Sequence, residues 1–164
     1  MRVVSRVMPA CALVLAFAAG AAAQNVYYDQ AFARALVAAF SERTVAARAA
    51  LVHPQSRPCI TGDVGEWWRD SVTRWAETPV PADHEWTIMP LAADDARAAA
   101  DRFDWPLAPT HALQLIMRDA PSKSRTLLVR LAKADGRWAE VVPCAKPETV
   151  KAMRAERDKA RGPR

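Results

Sequence analysis

Glycine is scarce. The 164-residue chain holds five, and none sits in the Gly-rich run that wraps a phosphate against a helix N-terminus, so nucleotide binding by such a loop is not expected. Histidine is as thin: His53, His84 and His111 are the only three. They show neither HExxH nor paired CxxC spacing, so no metal site and no cofactor are expected. The three cysteines, Cys11, Cys59 and Cys144, include none flanked by a family cysteine-protease signature. Long apolar runs are missing too, apart from Val7 to Gly20, which falls short of the roughly 20 residues of a membrane span.

That one run has a different use. Arg2 and Arg6 precede it and Ala21-Ala22-Ala23 follows before Gln24, the pattern of a secretory signal peptide over residues 1–23. Cys11 does not close the apolar run as a lipidated cysteine should. The expectation is a periplasmic or secreted protein cleaved near Ala23. Removing residues 1–23 takes Arg2 and Arg6 with it and lowers the net charge from +5 to +3. Such a chain is a poor nucleic-acid partner, the more so if exported. What remains suits one domain over residues 24–147, followed by a basic helix or tail over residues 148–164.

Cleavage leaves Cys59 and Cys144, an even number in a compartment where disulfides persist. Cys59 stands ahead of an expected helix start, where the dipole could lower a thiol's pKa. As a nucleophile it would also need a nearby base and no oxidising partner. A disulfide is the simpler expectation.

The order of elements is helices first and strands afterwards. Phe32, Leu36 and Phe40 recur every four residues in the stretch Val26 to Val52, which reads as two helices or one bent one, with Ser41 and Thr44 as a restart. Asp63 and Glu66 suggest a capping box for a helix over about 63–77, with Val64, Trp68, Val72 and Trp75 inward. Past Pro79 and Pro81 the period becomes two: strands are expected at 84–91 and 111–118, with a short helical turn from about Asp94 to Arg102 between them. TLLVRLAK and RWAEVVPC flank Ala-Asp-Gly as a hairpin. This is an α+β chain, with N-terminal helices packed on a curved antiparallel sheet of about four strands.

FSERTVAARAALVHP, TGDVGEWW and DGRWAEVV together resemble the second helix, the Gly-led third helix and the Asp-Gly-x-Trp hairpin of the NTF2-like superfamily. The resemblance implies helices over the concave side of a curved sheet, forming a cone. Its members include isomerases, dehydratases, ligand binders and envelope accessory domains, so it assigns no activity. No catalytic aspartate and tyrosine arrangement can be carried over.

A two-residue Asp135-Gly136 turn would pair Lys133 with Trp138, Leu131 with Glu140, Val129 with Val142 and Leu127 with Cys144. Glu140 then lies on the apolar face, as does His111 on the preceding strand. In a cone the two could act as an acid/base pair in a small hydrolase, isomerase or dehydratase; alternatively Glu140 is ion-paired to Lys133 or an arginine. Trp67 and Trp105 are candidates for a binding surface or a pocket mouth, or for packing beneath loops. The tail from Lys146 to Arg164 carries seven basic and three acidic residues and offers only Val150 and Met153 as an apolar stripe. It is expected to be solvated and fraying, with anionic membrane surface as its candidate contact. The favoured reading is a non-catalytic exported module holding a small apolar ligand or an envelope protein, of unassigned oligomeric state.

Overall fold

The computed structural model describes residues 29–96, 100–120 and 123–161; the expected leader lies outside them. Residues 29–42 are helical (α1), and their four-residue spacing puts Phe32, Leu36 and Phe40 into the core. Arg43 takes a positive φ of 55°, which breaks the helix. Thr44 then starts a second helix, α2 (Val45–Ala49), its hydroxyl accepting from the Ala47 N–H at 3.1 Å. The stretch is thus two helices, restarted at Thr44 as its sequence suggests.

Leu51 to His53 run beside Glu140, with Val52 in a parallel bridge to it, and a 3₁₀ helix follows over Pro54–Ile60. Helix α3 (Glu66–Ala76) starts differently from expectation. Its N-cap is Gly65, with no side-chain capping bond. A Cβ at that position would lie 2.1 Å from the Ile60 carbonyl carbon, so glycine is what lets the backbone pass this close. Asp63 and Glu66 are freed from capping and turn to the C-terminal helix.

The main sheet is antiparallel. Strands β1 (His84–Pro90), β3 (His111–Ala120), β4 (Lys123–Ala134) and β5 (Arg137–Glu140) stand in the order β1-β3-β4-β5. Between β1 and β3 the chain makes an excursion holding a single helical turn, α4 (Ala93–Ala96), and strand β2 (Phe103–Asp104); part of the expected 94–102 turn, residues 97–99, lies outside the described residues. Asp135 and Gly136, with φ of 49° and 76°, make the hairpin turn that the Asp-Gly pair demands. Lys133 pairs with Trp138 and Leu131 with Glu140.

There the expected register ends. The Val141 N–H still donates to the Arg130 carbonyl at 2.8 Å, but the Val142 N–H goes to the Ser56 hydroxyl at 3.1 Å, and Pro143 has no N–H to give. Cys144 is bonded to Cys59 in the 3₁₀ helix, and β6 (Cys144–Ala145) pairs with β2 instead of β4. Val129 and Leu127 therefore do not acquire Val142 and Cys144 as ladder partners. β4 continues past its neighbour, and a gap opens alongside it.

Among the described residues, two apolar clusters form the interior. Phe32, Leu36 and Phe40 of α1 pack on Leu113, Leu115 and Leu131 of the sheet. Val52, Cys59, Ile60, Trp68, Val72 and Val142 form the second cluster around the disulfide.

Helix α5 (Pro147–Arg161) is the expected basic C-terminal helix, but one side of it is docked, which corrects the expectation of a free, fraying segment. Thr149 and Val150 are buried, and the Thr149 hydroxyl donates to the Arg102 carbonyl at 2.8 Å. The Arg154 Nε donates to Glu66 at 2.7 Å and its Nη2 lies 2.9 Å from Asp63. Arg157 also donates to Glu66 and lies 3.6 Å from Asp70. Two of the tail's positive charges are thereby answered by α3 and its leading turn. Those hydrogen bonds from Arg154 and Arg157 hold the Glu66 carboxyl below its ordinary 4.5, outweighing the opposing effect of burial. A depressed folded value stabilises the docked helix fully above the unfolded value and is lost as pH falls through the folded one. Hydrogen exchange followed from about pH 6 to about pH 3 should show α5 amides losing several-fold protection at the acid end. Glu66→Gln should show that loss already at neutral pH; protection that survives acid in the wild type would contradict the clasp.

Candidate functional site

The gap beside β4 is a cavity of about 260 Å³ at the seam between the two clusters. Phe40 of α1 and Trp68, Val72 and Trp75 of α3 wall it on the helical side. Residues 127–130 of β4 and 141–143 of the departing chain form the sheet side. Trp67, Phe103 and Trp105 close it with aromatic surface, the Trp67 and Phe103 rings lying 4.9 Å apart. Leu128, 47% exposed, is the large apolar side chain left open to solvent at this wall.

Inside this apolar frame sits an ion pair. The Arg48 Nε donates to Glu140 Oε2 at 2.7 Å and Nη2 to Oε1 at 2.9 Å, with side-chain exposures of 5% and 10%. Both residues line the cavity. Their fork-to-fork geometry is the strongest form of this contact. Backbone bonds fix both partners: the Glu140 N–H donates to the Leu51 carbonyl and the His53 N–H to the Glu140 carbonyl, each at 2.8 Å. The segment immediately after α2 is thus stitched to the last residue of β5, which brings Arg48 against Glu140. Arg48 also lies over the Phe40 ring, 4.9 Å from its centroid.

The remaining donor of Arg48, Nη1, is buried and has no hydrogen-bond partner. The same is true of Trp67 Nε1, Trp105 Nε1 and Arg130 Nε, and all four residues line this cavity. Arg130 reaches over the Trp105 ring at 5.2 Å.

Trp67 and Trp105, the sequence's candidates for a binding surface or a pocket mouth, line this cavity together with Glu140. His111 is not. It stands two strands from Glu140 through Leu131, its Nδ1 3.0 Å from the Thr110 hydroxyl and its ring 4.7 Å from that of Trp138. Both oxygens of Glu140 are occupied by Arg48, the ion-pair alternative for that residue. Cys59 and Cys144 form a disulfide, so neither is a thiol. Among the described residues no three His, Cys, Asp or Glu side chains are grouped to share a metal ion, and no helix is long and apolar enough to cross a membrane. Arg48 and Arg130 are the residues that sequence reasoning missed. The available signal was Glu140 itself, a carboxylate on an apolar face that required a cation.

Compared with known proteins, the chain matches no family model, no curated protein and no solved structure, and its functional reading rests on the geometry of this site.

Proposed function

We propose that the protein is an exported, non-catalytic binding module of NTF2-like α+β form that holds a small, largely apolar ligand in the cavity between α3 and β4. The observation that carries this reading is an aromatic-walled cavity of about 260 Å³ opening along the strand that β5 leaves uncovered. That volume lies below the roughly 300 to 1,000 Å³ that holds drug-sized molecules, which points to a compact ligand. Binding is favoured over turnover because both oxygens of Glu140 are engaged by Arg48 and His111 lies outside the lining. Export rests on the leader pattern of residues 1–23 and agrees with a disulfide, which persists in oxidising compartments.

Ligand-observed NMR with naphthalene, a compact neutral probe, tests the reading. Saturation transfer to naphthalene is expected for the wild type and should be lost in Ser71→Phe, which places a ring on the α3 wall, while thermal unfolding shows that the variant is folded. Transfer that persists in a folded Ser71→Phe, or none in the wild type, would remove this site as the binding locus.

A further inference from the structure

Within the binding reading, on which it rests, we infer that the ligand carries a single carboxylate on a flat apolar body. The unpartnered, buried side-chain atoms of the described residues are all nitrogens. Four of them belong to residues that line the cavity, and all four are N–H donors: Arg48 Nη1, Trp67 Nε1, Trp105 Nε1 and Arg130 Nε. Trp67 also borders a second depression beneath α5, so the strongest cases are Arg48, Trp105 and Arg130. A buried donor without a partner is costly, and among the described residues no buried side-chain acceptor is left unpaired to answer it. The complementary group brings oxygen lone pairs.

Charge narrows the class. Arg48, Arg130 and Glu140 are the ionisable side chains on the lining; Glu140 cancels Arg48, and Arg130 leaves one positive charge. A monoanion balances it, whereas a dianion would add an uncompensated charge to a low-dielectric site. Glu140 is a positioning residue in this arrangement: by accepting from Nε and Nη2 it fixes the guanidinium so that Nη1 is the donor left over. The tilted Trp67 and Phe103 rings, and the Trp105 plate under Arg130, suit a flat hydrocarbon body.

The experiment is calorimetric titration of the full mature chain with naphthoate, naphthamide and naphthalene, which share one ring system. Naphthoate should bind about tenfold or more tightly than naphthamide, whose shape is the same but whose N–H₂ adds donors where donors are already in excess. Trp105→Phe keeps an aromatic side chain but removes the N–H, and Arg130→Met removes the charge at a half-buried position; each should cut the ratio of naphthoate to naphthalene affinity several-fold, whatever it costs naphthalene itself. Naphthalene binding with equal affinity for naphthoate and naphthamide would overturn the carboxylate inference and leave the binding reading standing. Absence of binding by all three would remove both. A naphthoate preference unchanged in Trp105→Phe and in Arg130→Met would place carboxylate recognition elsewhere and overturn the inference.

Discussion

Arg48→Met is expected to cost the fold about 3 to 5 kcal/mol, because it leaves the Glu140 carboxylate buried without its counter-charge. Both side chains are nearly sealed from water, at 5% and 10% exposure, and solvent cannot take over from the lost partner. The midpoint of thermal unfolding should fall by on the order of 10 °C for a domain of this size. Arg48→Met combined with Glu140→Leu should recover most of the loss, since an apolar pair needs no compensation and the surroundings are already Phe40, Val72 and Val142. The two changes are in direct contact, so their effects should be strongly non-additive. Urea denaturation of the wild type, both single variants and the double variant gives the cycle. An Arg48→Met protein within about 1 kcal/mol of the wild type would mean that Glu140 reaches water or another cation. A charged pair inside an apolar seam makes better sense as a device for orienting Nη1 than as a source of stability, which hydrophobic replacements supply as well.

How much of this was legible in the sequence varies with the range of the interaction. The four-residue spacing of Phe32, Leu36 and Phe40, the restart at Thr44 and the Asp135-Gly136 turn are local, and local sterics decide them. The Leu131 to Glu140 register follows from the turn for the same reason. Arg48 is opaque because α2 is only five residues long, too short to show an apolar stripe, and an arginine among alanines reads as solvent-facing. Its partner lies 92 residues away. The early end of β5 was equally hidden: RWAEVVPC has the alternation and β-branched content of one continuous strand, and three competing claims cut it short, from Ser56, Pro143 and the disulfide. β2 and β6 are two residues each, below any readable period. The docking of the C-terminal helix is hidden because Asp63 and Glu66 read as a capping box for their own helix. In each failure a polar or covalent contact between distant segments overrode a correct local preference.

The same disulfide should account for the other large effect. Cys59 and Cys144 close a loop with a sequence separation of 85, for which the chain-entropy model gives roughly 4 to 5 kcal/mol, an upper figure because residual structure in the unfolded chain subtracts from it. Cys59→Ala with Cys144→Ala should therefore remove a large share of the ~5 to 15 kcal/mol that holds a typical domain together, measured as the drop in urea midpoint. A thiol titration of the denatured wild type that reads the same before and after reduction would show that the bond is absent. The structural consequence is more specific than lost stability. Cys144 is the point at which the chain is pulled off the β4 edge, and Val141, Val142 and Pro143 before it are cavity wall. Val142 is further held by its N–H to Ser56, three residues before Cys59. With the covalent tie gone, residues 141–144 retain the alternation that would let them continue β5 along β4, and doing so would fill the space the ligand is proposed to occupy. Naphthoate affinity in the cysteine-free variant, measured where that variant is still folded, should thus fall along with stability. Affinity equal to that of the wild type would show that Ser56 and Pro143 suffice to hold the wall.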